Sequence, residues 1–340
     1  MSDVAEEGRS KARWRGLLAL AALGTGAAAV WFPEGTRDTI AFVVTALIEV
    51  APLVIPGIIL AAWVTASGAG SRLRSAFDGR VGRTVVIASL VGAITPVCGV
   101  TVLPLMAGLL SSGVPLAPVM AFWLSSPVTD PAMLATTAAT LGFGFAIGKT
   151  LAAFGLGLLG GFVTAGLASY PWTRAPLRDN ELVGSLSSPA CGQAVPFVRN
   201  PWSDEERRKE FLRELRAITR LILICLIPAF AAEHLLNALL QPEALTAYVG
   251  ADAWWAVPFA VFVGAPAYLD GYAALPLTRG LMDHGMSAGA AMAFLVSGGV
   301  VSIWGAMAIF PVLRLKPFLL YLALAVVGSL MAGWGYGLVA

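Results

Sequence analysis

A free thiol and three carboxylates lie within long apolar stretches of this sequence, where polar groups are costly and therefore informative. Cys98 closely follows Pro96 beside a break in an apolar segment, and Glu49, Asp130 and Asp270 stand among apolar neighbours. A thiolate binds soft metalloids, and a carboxyl group in apolar surroundings can take up and release a proton. An aspartate at mid-membrane depth costs about 2.5–3.5 kcal/mol on insertion scales. The residue types therefore predict ligand binding and proton exchange on an apolar scaffold.

Each of these residues also has a purely structural interpretation. Cys98 can be a small buried apolar side chain, which is how most free cysteines behave. Asp130 and Asp270 can cap helices that begin near an interface. Glu49 can be a hydrogen-bonded carboxyl with no role beyond packing. The sequence leaves both interpretations open.

Hydroxyl groups supply further polar atoms near these residues. Small hydroxyl side chains line polar paths, but they also pack helices together, where a hydrogen bond contributes about 0.6 kcal/mol on average. We expect the substrate to contact Cys98, Thr101, Ser125, Ser126 and Ser297. We expect protons to be exchanged at Asp130, Asp270 and Glu49.

The segments that must position these residues occur twice in the chain, as an internal repeat. Residues 92–128 and 264–300 align without a gap at an offset of 172 positions and share 14 identities in 37. An apolar composition alone would give roughly three or four. At this offset, Asp270 aligns with Cys98 and Ser302 aligns with Asp130. A duplicated unit interrupted by Gly and Pro is typical of secondary transporters, whose site lies where the copies meet.

Composition places the chain in a membrane. Of its 340 residues, 58% are hydrophobic and only 12% are charged, which is typical of a polytopic membrane protein. Several apolar segments are too short to cross a hydrocarbon core of about 30 Å as straight helices, and breaks within them require protein or a wet cavity alongside. The segments fall at 14–32, 39–66, 84–98, 100–112, 115–127, 131–147 and 148–168, and again at 213–240, 254–269, 273–283, 287–299, 300–313 and 317–338.

Loop charges predict how the chain is oriented. The N-terminal tail and the loops at 67–83 and 169–212 carry several Lys or Arg residues and are predicted to be cytoplasmic, whereas 241–253 carries none and is predicted to be external. The helix at 39–66 and its copy at 213–240 then run in opposite directions. An odd number of crossings in each copy gives about eleven crossings in total, or about seven with re-entrant hairpins.

The predicted fold is therefore an all-α polytopic membrane protein with two inverted-topology repeats of broken or re-entrant helices after one N-terminal transmembrane helix. A tail and first transmembrane helix occupy 1–35, repeat 1 occupies 36–168, a cytoplasmic connector loop occupies 169–210, and repeat 2 occupies 211–340. The predicted location is the inner (cytoplasmic) membrane, with the N-terminus cytoplasmic and the C-terminus external.

The first copy resembles a known family. Members typically show a Pro-x-Cys turn, a Pro-Leu/Phe run, a Gly-Val-Pro-Leu segment and a Phe-Leu-x-Ser-Pro segment. This chain has similar runs at 96–98, 104–105, 113–116 and 122–127. The arrangement resembles the predicted-permease family that includes the organoarsenical exporters called ArsP. Many relatives carry a second cysteine two residues after the first, where this chain has Val100.

The resemblance implies a permease, and together the observations predict a secondary permease that exports a small soft or apolar solute, coupled to protons. Trivalent organoarsenicals are the best single candidate. Two alternatives stay open: a membrane subunit of a larger complex without transport of its own, and an intramembrane lipid-modifying enzyme. The sequence has no HExxH and no Walker A motif, so we expect no enzyme activity, cofactor, metal or direct use of ATP. Expected partners are the small-molecule substrate and the lipid bilayer, with a homo-oligomer open and nucleic acid excluded.

Overall fold

The computed structural model describes residues 33–68, 81–95, 102–111, 113–178, 198, 200, 202, 204–239, 255–264, 274–301, 306 and 309–340. The predicted first transmembrane helix and most of the connector at 169–210 lie outside these residues. Within them the chain is helical and forms no strand, apart from an isolated antiparallel bridge between Leu177 and Leu313. The all-helical class is thus confirmed for the described part of the chain.

Twelve helices lie within the described residues. They are α1 (Pro33–Ser67), α2 (Val81–Ile94), α3 (Val102–Ser111), α4 (Leu116–Ser125), α5 (Pro131–Leu141), α6 (Phe143–Gly166), α7 (Pro171–Arg174), α8 (Glu205–Leu239), α9 (Ala256–Gly264), α10 (Ala274–Asp283), α11 (Ala288–Val300) and α12 (Leu315–Gly337).

The helix bounds recur at the offset seen in the sequence. After a shift of 172 positions, α1 coincides with α8 and α3 with α10 at both ends, while α4 and α11, and likewise α6 and α12, share their first residues. The turn after α3 recurs as well, because the Gly113 N–H donates to the Leu110 carbonyl and the Gly285 N–H to the Met282 carbonyl, both at 3.0 Å. The two glycines have φ of 84° and 99°, a conformation that favours glycine.

Equivalent glycines allow equivalent helices to pack closely within each copy. In the first copy α6 packs on α2 and α4, and in the second α12 packs on α9 and α11. A Cβ atom at Gly161 would lie 2.9 Å from the Ala121 Cβ, and one at Gly333 would lie 2.7 Å from the Ala293 Cβ. Such separations are too short for carbon atoms, so these helix contacts require glycine.

The first helices of the two copies pack antiparallel to each other. Near one end, the Thr39 Oγ1 lies 3.1 Å from the His234 Nδ1. Near the other end, the Arg207 guanidinium donates to the Ala66 carbonyl at 3.2 Å. The start of α1 therefore lies beside the end of α8, and the end of α1 beside the start of α8.

The longest apolar helices of the two copies, α6 and α12, also run antiparallel. The ring of Phe145, near the start of α6, packs edge-on against Tyr336, near the end of α12, with 5.1 Å between ring centroids. Further along, a Cβ atom at Gly328 would lie 2.7 Å from Leu156. Leu156 and Gly328 are 172 positions apart, so these helices cross at equivalent residues.

Large apolar side chains are exposed on several of the described helices. Phe143, Phe262 and Ile48 are 73%, 78% and 67% exposed, respectively. Two of the described helices, α6 and α12, are long and apolar enough to cross a membrane. An apolar exterior on helices of this length suits lipid rather than water.

One predicted boundary is wrong. The sequence predicted a break between segments 131–147 and 148–168, whereas α5 ends at Leu141 and α6 begins at Phe143. The chain turns at Gly142, whose φ is 98°. Gly148 instead lies inside α6, where a Cβ atom would lie 2.5 Å from the Tyr336 ring. It is therefore a packing glycine and not a turn.

Candidate functional site

The C-terminal ends of α4 and α11 meet at equivalent positions. A Cβ atom at Gly299 would lie 2.8 Å from the Pro127 carbonyl oxygen, and these two residues are 172 positions apart. Contact between equivalent residues is what a two-fold relation between two copies produces. We call the surrounding region the crossing site and define it as residues 123–130, Lys149, Gly299, Val300 and Tyr321.

The structure separates the serines that the sequence grouped together. Ser125 donates to the Ala121 carbonyl at 2.9 Å, and Ser297 donates to the Phe294 carbonyl at 3.1 Å, so both hydroxyls bond within their own helices. The buried Ser126 hydroxyl has no hydrogen-bond partner in the described part of the chain. Ser126 is thus the serine whose hydroxyl is open to a ligand, since an unpaired buried polar group is costly.

An aromatic pair joins the two copies beside Ser126. Trp123 and Tyr321 stack with 4.4 Å between their ring centroids. The Tyr321 hydroxyl donates to the Val300 carbonyl, whereas the buried Trp123 Nε1 has no acceptor among the described residues. The indole N–H therefore joins the Ser126 hydroxyl as a second unused donor. Sequence reasoning missed this pair because it gave the aromatic residues no role.

Asp130 acts as the N-cap of α5. Its Oδ1 accepts the backbone N–H groups of Ala132 and Met133, both at 2.8 Å. Pro131 follows at the first helical position, where its missing N–H is not needed. The capping interpretation of the sequence thus describes the geometry, and the proposed proton role of Asp130 stays a prediction.

The cap and the charge of Asp130 can be tested separately. Asp130→Asn keeps an amide oxygen that accepts the same N–H bonds, so we expect it to lose less thermal stability in detergent than Asp130→Ala. Asp130→Ala also removes the cap, which should cost about 1 kcal/mol more. If the charge takes part in transport, Asp130→Asn will change the pH profile of transport even though it keeps the cap. Equal destabilisation by both substitutions would show that capping is not what the side chain contributes.

The structure adds Lys149 to the candidate residues. This lysine lies in α6 and is only 3% exposed, and it interacts electrostatically with Asp130. Its position is equivalent to that of Tyr321 at the offset of 172. A single cation in an otherwise apolar 24-residue helix marks a functional candidate, but the sequence prediction divided this helix between residues 147 and 148.

Of the remaining predicted residues, the structure describes Glu49 alone. Glu49 lies on an exposed face of α1. Cys98, Thr101 and Asp270 lie outside the described residues, so their predicted roles stay predictions. Among the residues that the structure does describe, no group of three or more His, Cys, Asp or Glu side chains is placed to hold a metal ion.

An apolar cavity lies on one side of the first copy, between α2, α3 and α4. Its volume is about 130 Å³. Such a surface accepts an apolar group and offers nothing to a charged one. All of its lining residues are apolar: Ile87, Ala88, Val91, Leu105, Leu109, Val114, Pro118, Val119 and Phe122.

Comparison with known proteins agrees with the resemblance seen in the first copy. A family model described as "Predicted permease" matches residues 36–338. A UPF0718 protein of Methanocaldococcus jannaschii is 25% identical over 297 residues, which cover 74% of this chain and 81% of that relative. No solved structure matches the chain. The family match confirms the resemblance and, with the apolar helices, indicates a membrane protein of the transporter class rather than an enzyme.

Proposed function

We propose that this chain, which belongs to the predicted permease family, is a secondary permease that exports a small soft or apolar solute in exchange for protons. The carrying observation is that equivalent helices of the two copies lie antiparallel, and that Pro127 and its equivalent Gly299 touch beside hydrogen-bond donors that have no partner among the described residues. Trivalent organoarsenicals are the substrate class that we propose.

The architecture is that of inverted repeats. Helices α1 and α8 have equivalent bounds, α6 and α12 begin at equivalent residues, and each pair lies antiparallel. A two-fold axis that relates two antiparallel helices lies perpendicular to them. If α6 and α12 cross the bilayer, that axis lies in the membrane plane and the copies have opposite orientations. This geometry supports inverted repeats within 36–168 and 211–340.

The crossing site suits alternating access. It lies where α4 and α11 end against each other, and glycine lets the two backbones touch there. In inverted-repeat transporters, one repeat rocks against the other around a site near the membrane midplane. A contact through the small Gly299 and the Pro127 carbonyl offers little resistance to such a movement. We propose that the solute is held at this site and exposed to each side of the membrane in turn.

The groups near the site favour a neutral solute. The indole of Trp123 and the hydroxyl of Ser126 can donate hydrogen bonds to an oxygen atom on the solute. The cavity between α2, α3 and α4 accepts an apolar substituent. Cys98 would add a soft sulfur ligand, which trivalent arsenic prefers to oxygen or nitrogen. A trivalent organoarsenical combines these three features in one molecule.

Uptake into everted membrane vesicles tests the proposal, because export from cells appears there as accumulation inside. We expect vesicles that contain the protein to accumulate phenylarsine oxide, which is trivalent, and an acidic lumen to increase the accumulation. The anion of phenylarsonic acid, which is pentavalent, should not accumulate because the apolar cavity cannot solvate its charge. Vesicles without the protein are the control. The proposal would be contradicted if vesicles with the protein and vesicles without it accumulated each arsenical to the same extent.

A further inference from the structure

A buried cation without bonded partners lies beside the crossing site. Lys149 is 3% exposed, and none of the described residues accepts a hydrogen bond from its ammonium group or forms an ion pair with it. The carboxylate of Asp130 is close enough to interact electrostatically. A lysine ammonium inside a membrane protein is costly to desolvate and is normally paired or functional. The position of Lys149 therefore calls for a role.

The equivalence of Lys149 and Tyr321 predicts where the lysine side chain is directed. Lys149 occupies the position equivalent to Tyr321, which stacks on Trp123 and donates to the Val300 carbonyl. Shifted by the same offset, Trp123 corresponds to Leu295 and Val300 to Val128. Lys149 should therefore extend toward the end of α4 near Val128. Its electrostatic interaction with Asp130, two residues further on, agrees with this placement.

Few other ionisable groups lie on the helices that pack against the helix of Lys149. On the helices packed against α6, namely α2, α4, α5, α11 and α12, the charged or titratable side chains are Arg83, the cap Asp130, Lys316, Tyr321 and Tyr336. Arg83 and Lys316 are exposed at helix ends. Tyr336 contacts α6 one residue before Lys149, at Gly148. Within the described part of the chain, Asp130 is thus the counter-charge of Lys149.

We propose that Lys149, with Asp130 as its fixed counter-charge, is the group that carries the exchanged proton. This inference rests on the proposed permease function and refines its coupling site. Asp130 is anchored by two backbone N–H groups, so it can balance the ammonium without moving. Lys149 takes up one proton from water on the external side and becomes an ammonium. It then releases that proton to water on the cytoplasmic side and becomes a neutral amine, as solute leaves in the opposite direction.

The replacement Lys149→Arg separates a proton carrier from a fixed charge. Arginine keeps the positive charge, but it does not release its proton in proteins. In proteoliposomes that contain a pH-sensitive dye, we expect phenylarsine oxide flux through the wild type to move protons. Lys149→Arg should reduce this solute-driven proton movement by more than about tenfold, since a single positioned proton-transfer group contributes about 10²–10⁴-fold. Lys316→Arg, an exposed lysine on α12, is the matched control and should behave as the wild type.

A second variant covers the case in which arginine does not fit. Lys149→Met combined with Asp130→Asn removes both charges together, which avoids leaving one buried charge unpaired. We expect this double variant to carry phenylarsine oxide down its own gradient without moving protons. The same loss in Lys316→Met would show that the effect is not specific.

The outcomes distinguish this inference from the proposed function. Solute-driven proton movement that survives in Lys149→Arg, or in the double variant, would overturn the role of Lys149 and leave the permease function intact. A wild type that carries the arsenical without moving protons would overturn the coupling alone. A wild type that carries neither would overturn the proposed function together with this inference.

Discussion

Replacement of Gly264 with valine (Gly264→Val) is expected to leave little folded protein after mild heating. A Cβ atom at this position would lie 2.5 Å from the Ser297 Oγ and 2.7 Å from the Phe294 carbonyl oxygen. The serine side chain can rotate away, but the carbonyl belongs to the backbone of α11 and cannot. Overpacking a core usually costs about 1–3 kcal/mol, and we expect Gly264→Val to reach at least the upper end of that range. The melting temperature in detergent should fall by at least about 5 °C.

The chain offers a matched control and an internal replicate. Gly155 lies exposed on α6, where a Cβ atom would have nothing within 4 Å, so Gly155→Val should have little effect. Gly92 makes the equivalent contact in the first copy, where a Cβ atom would lie 2.7 Å from the Phe122 carbonyl oxygen. Gly92→Val should therefore destabilise as Gly264→Val does. A melting temperature for Gly264→Val equal to that of Gly155→Val would mean that α9 and α11 do not pack as described.

Much of the helix pattern could be predicted from the sequence, because residue types alone define the apolar segments and the breaks between them. The segment predicted at 39–66 corresponds to α1, and those predicted at 273–283 and 287–299 correspond to α10 and α11. The break between α5 and α6 could not be placed, because glycine has two uses that look alike in a sequence. Gly142 turns the chain, whereas Gly148 makes room for Tyr336. Only the backbone conformation tells them apart.

The candidate site was harder to predict for a related reason. Ser125 and Ser126 are neighbours in sequence, but a helix rotates successive residues by about 100°. One hydroxyl therefore bonds within α4 and the other lies buried without a partner. Lys149 was missed because it fell at the boundary of two predicted segments, where a solvated cation is ordinary. Its burial follows from packing between helices, which sequence periodicity does not show.

The two copies share a scaffold but differ in chemistry. At the crossing site, Lys149 is matched by Tyr321, and Trp123 by Leu295. Outside the described residues, Cys98 is matched by Asp270. The residues that are identical in both copies include Gly92 with Gly264 and Gly161 with Gly333, and these make helix contacts. Glycines that make helix contacts are thus the same at both positions of this offset, while the polar side chains compared above differ.

Cys98→Ser is expected to abolish protection of cells against a trivalent organoarsenical. Thiolate sulfur is a soft ligand that suits trivalent arsenic, whereas a serine hydroxyl is hard and stays protonated. The other two cysteines are Cys191 and Cys225, so this chain has no thiol close to Cys98 in sequence to compensate. We expect affinity for phenylarsine oxide to fall by more than about tenfold, which corresponds to about 1.4 kcal/mol. Growth in graded arsenical and equilibrium binding to the purified protein measure the two effects.

The other two cysteines provide matched controls for this substitution. Cys191 lies in the predicted connector and Cys225 lies in α8, and neither occupies the Pro-x-Cys turn. Cys191→Ser and Cys225→Ser should therefore protect cells as the wild type does at equal expression. Serine is close in size to cysteine, so a loss confined to Cys98→Ser would reflect ligand chemistry rather than misfolding. Full protection by Cys98→Ser would remove the thiol from the site and favour its interpretation as a small buried side chain, leaving the solute to be held by the donors of the crossing site.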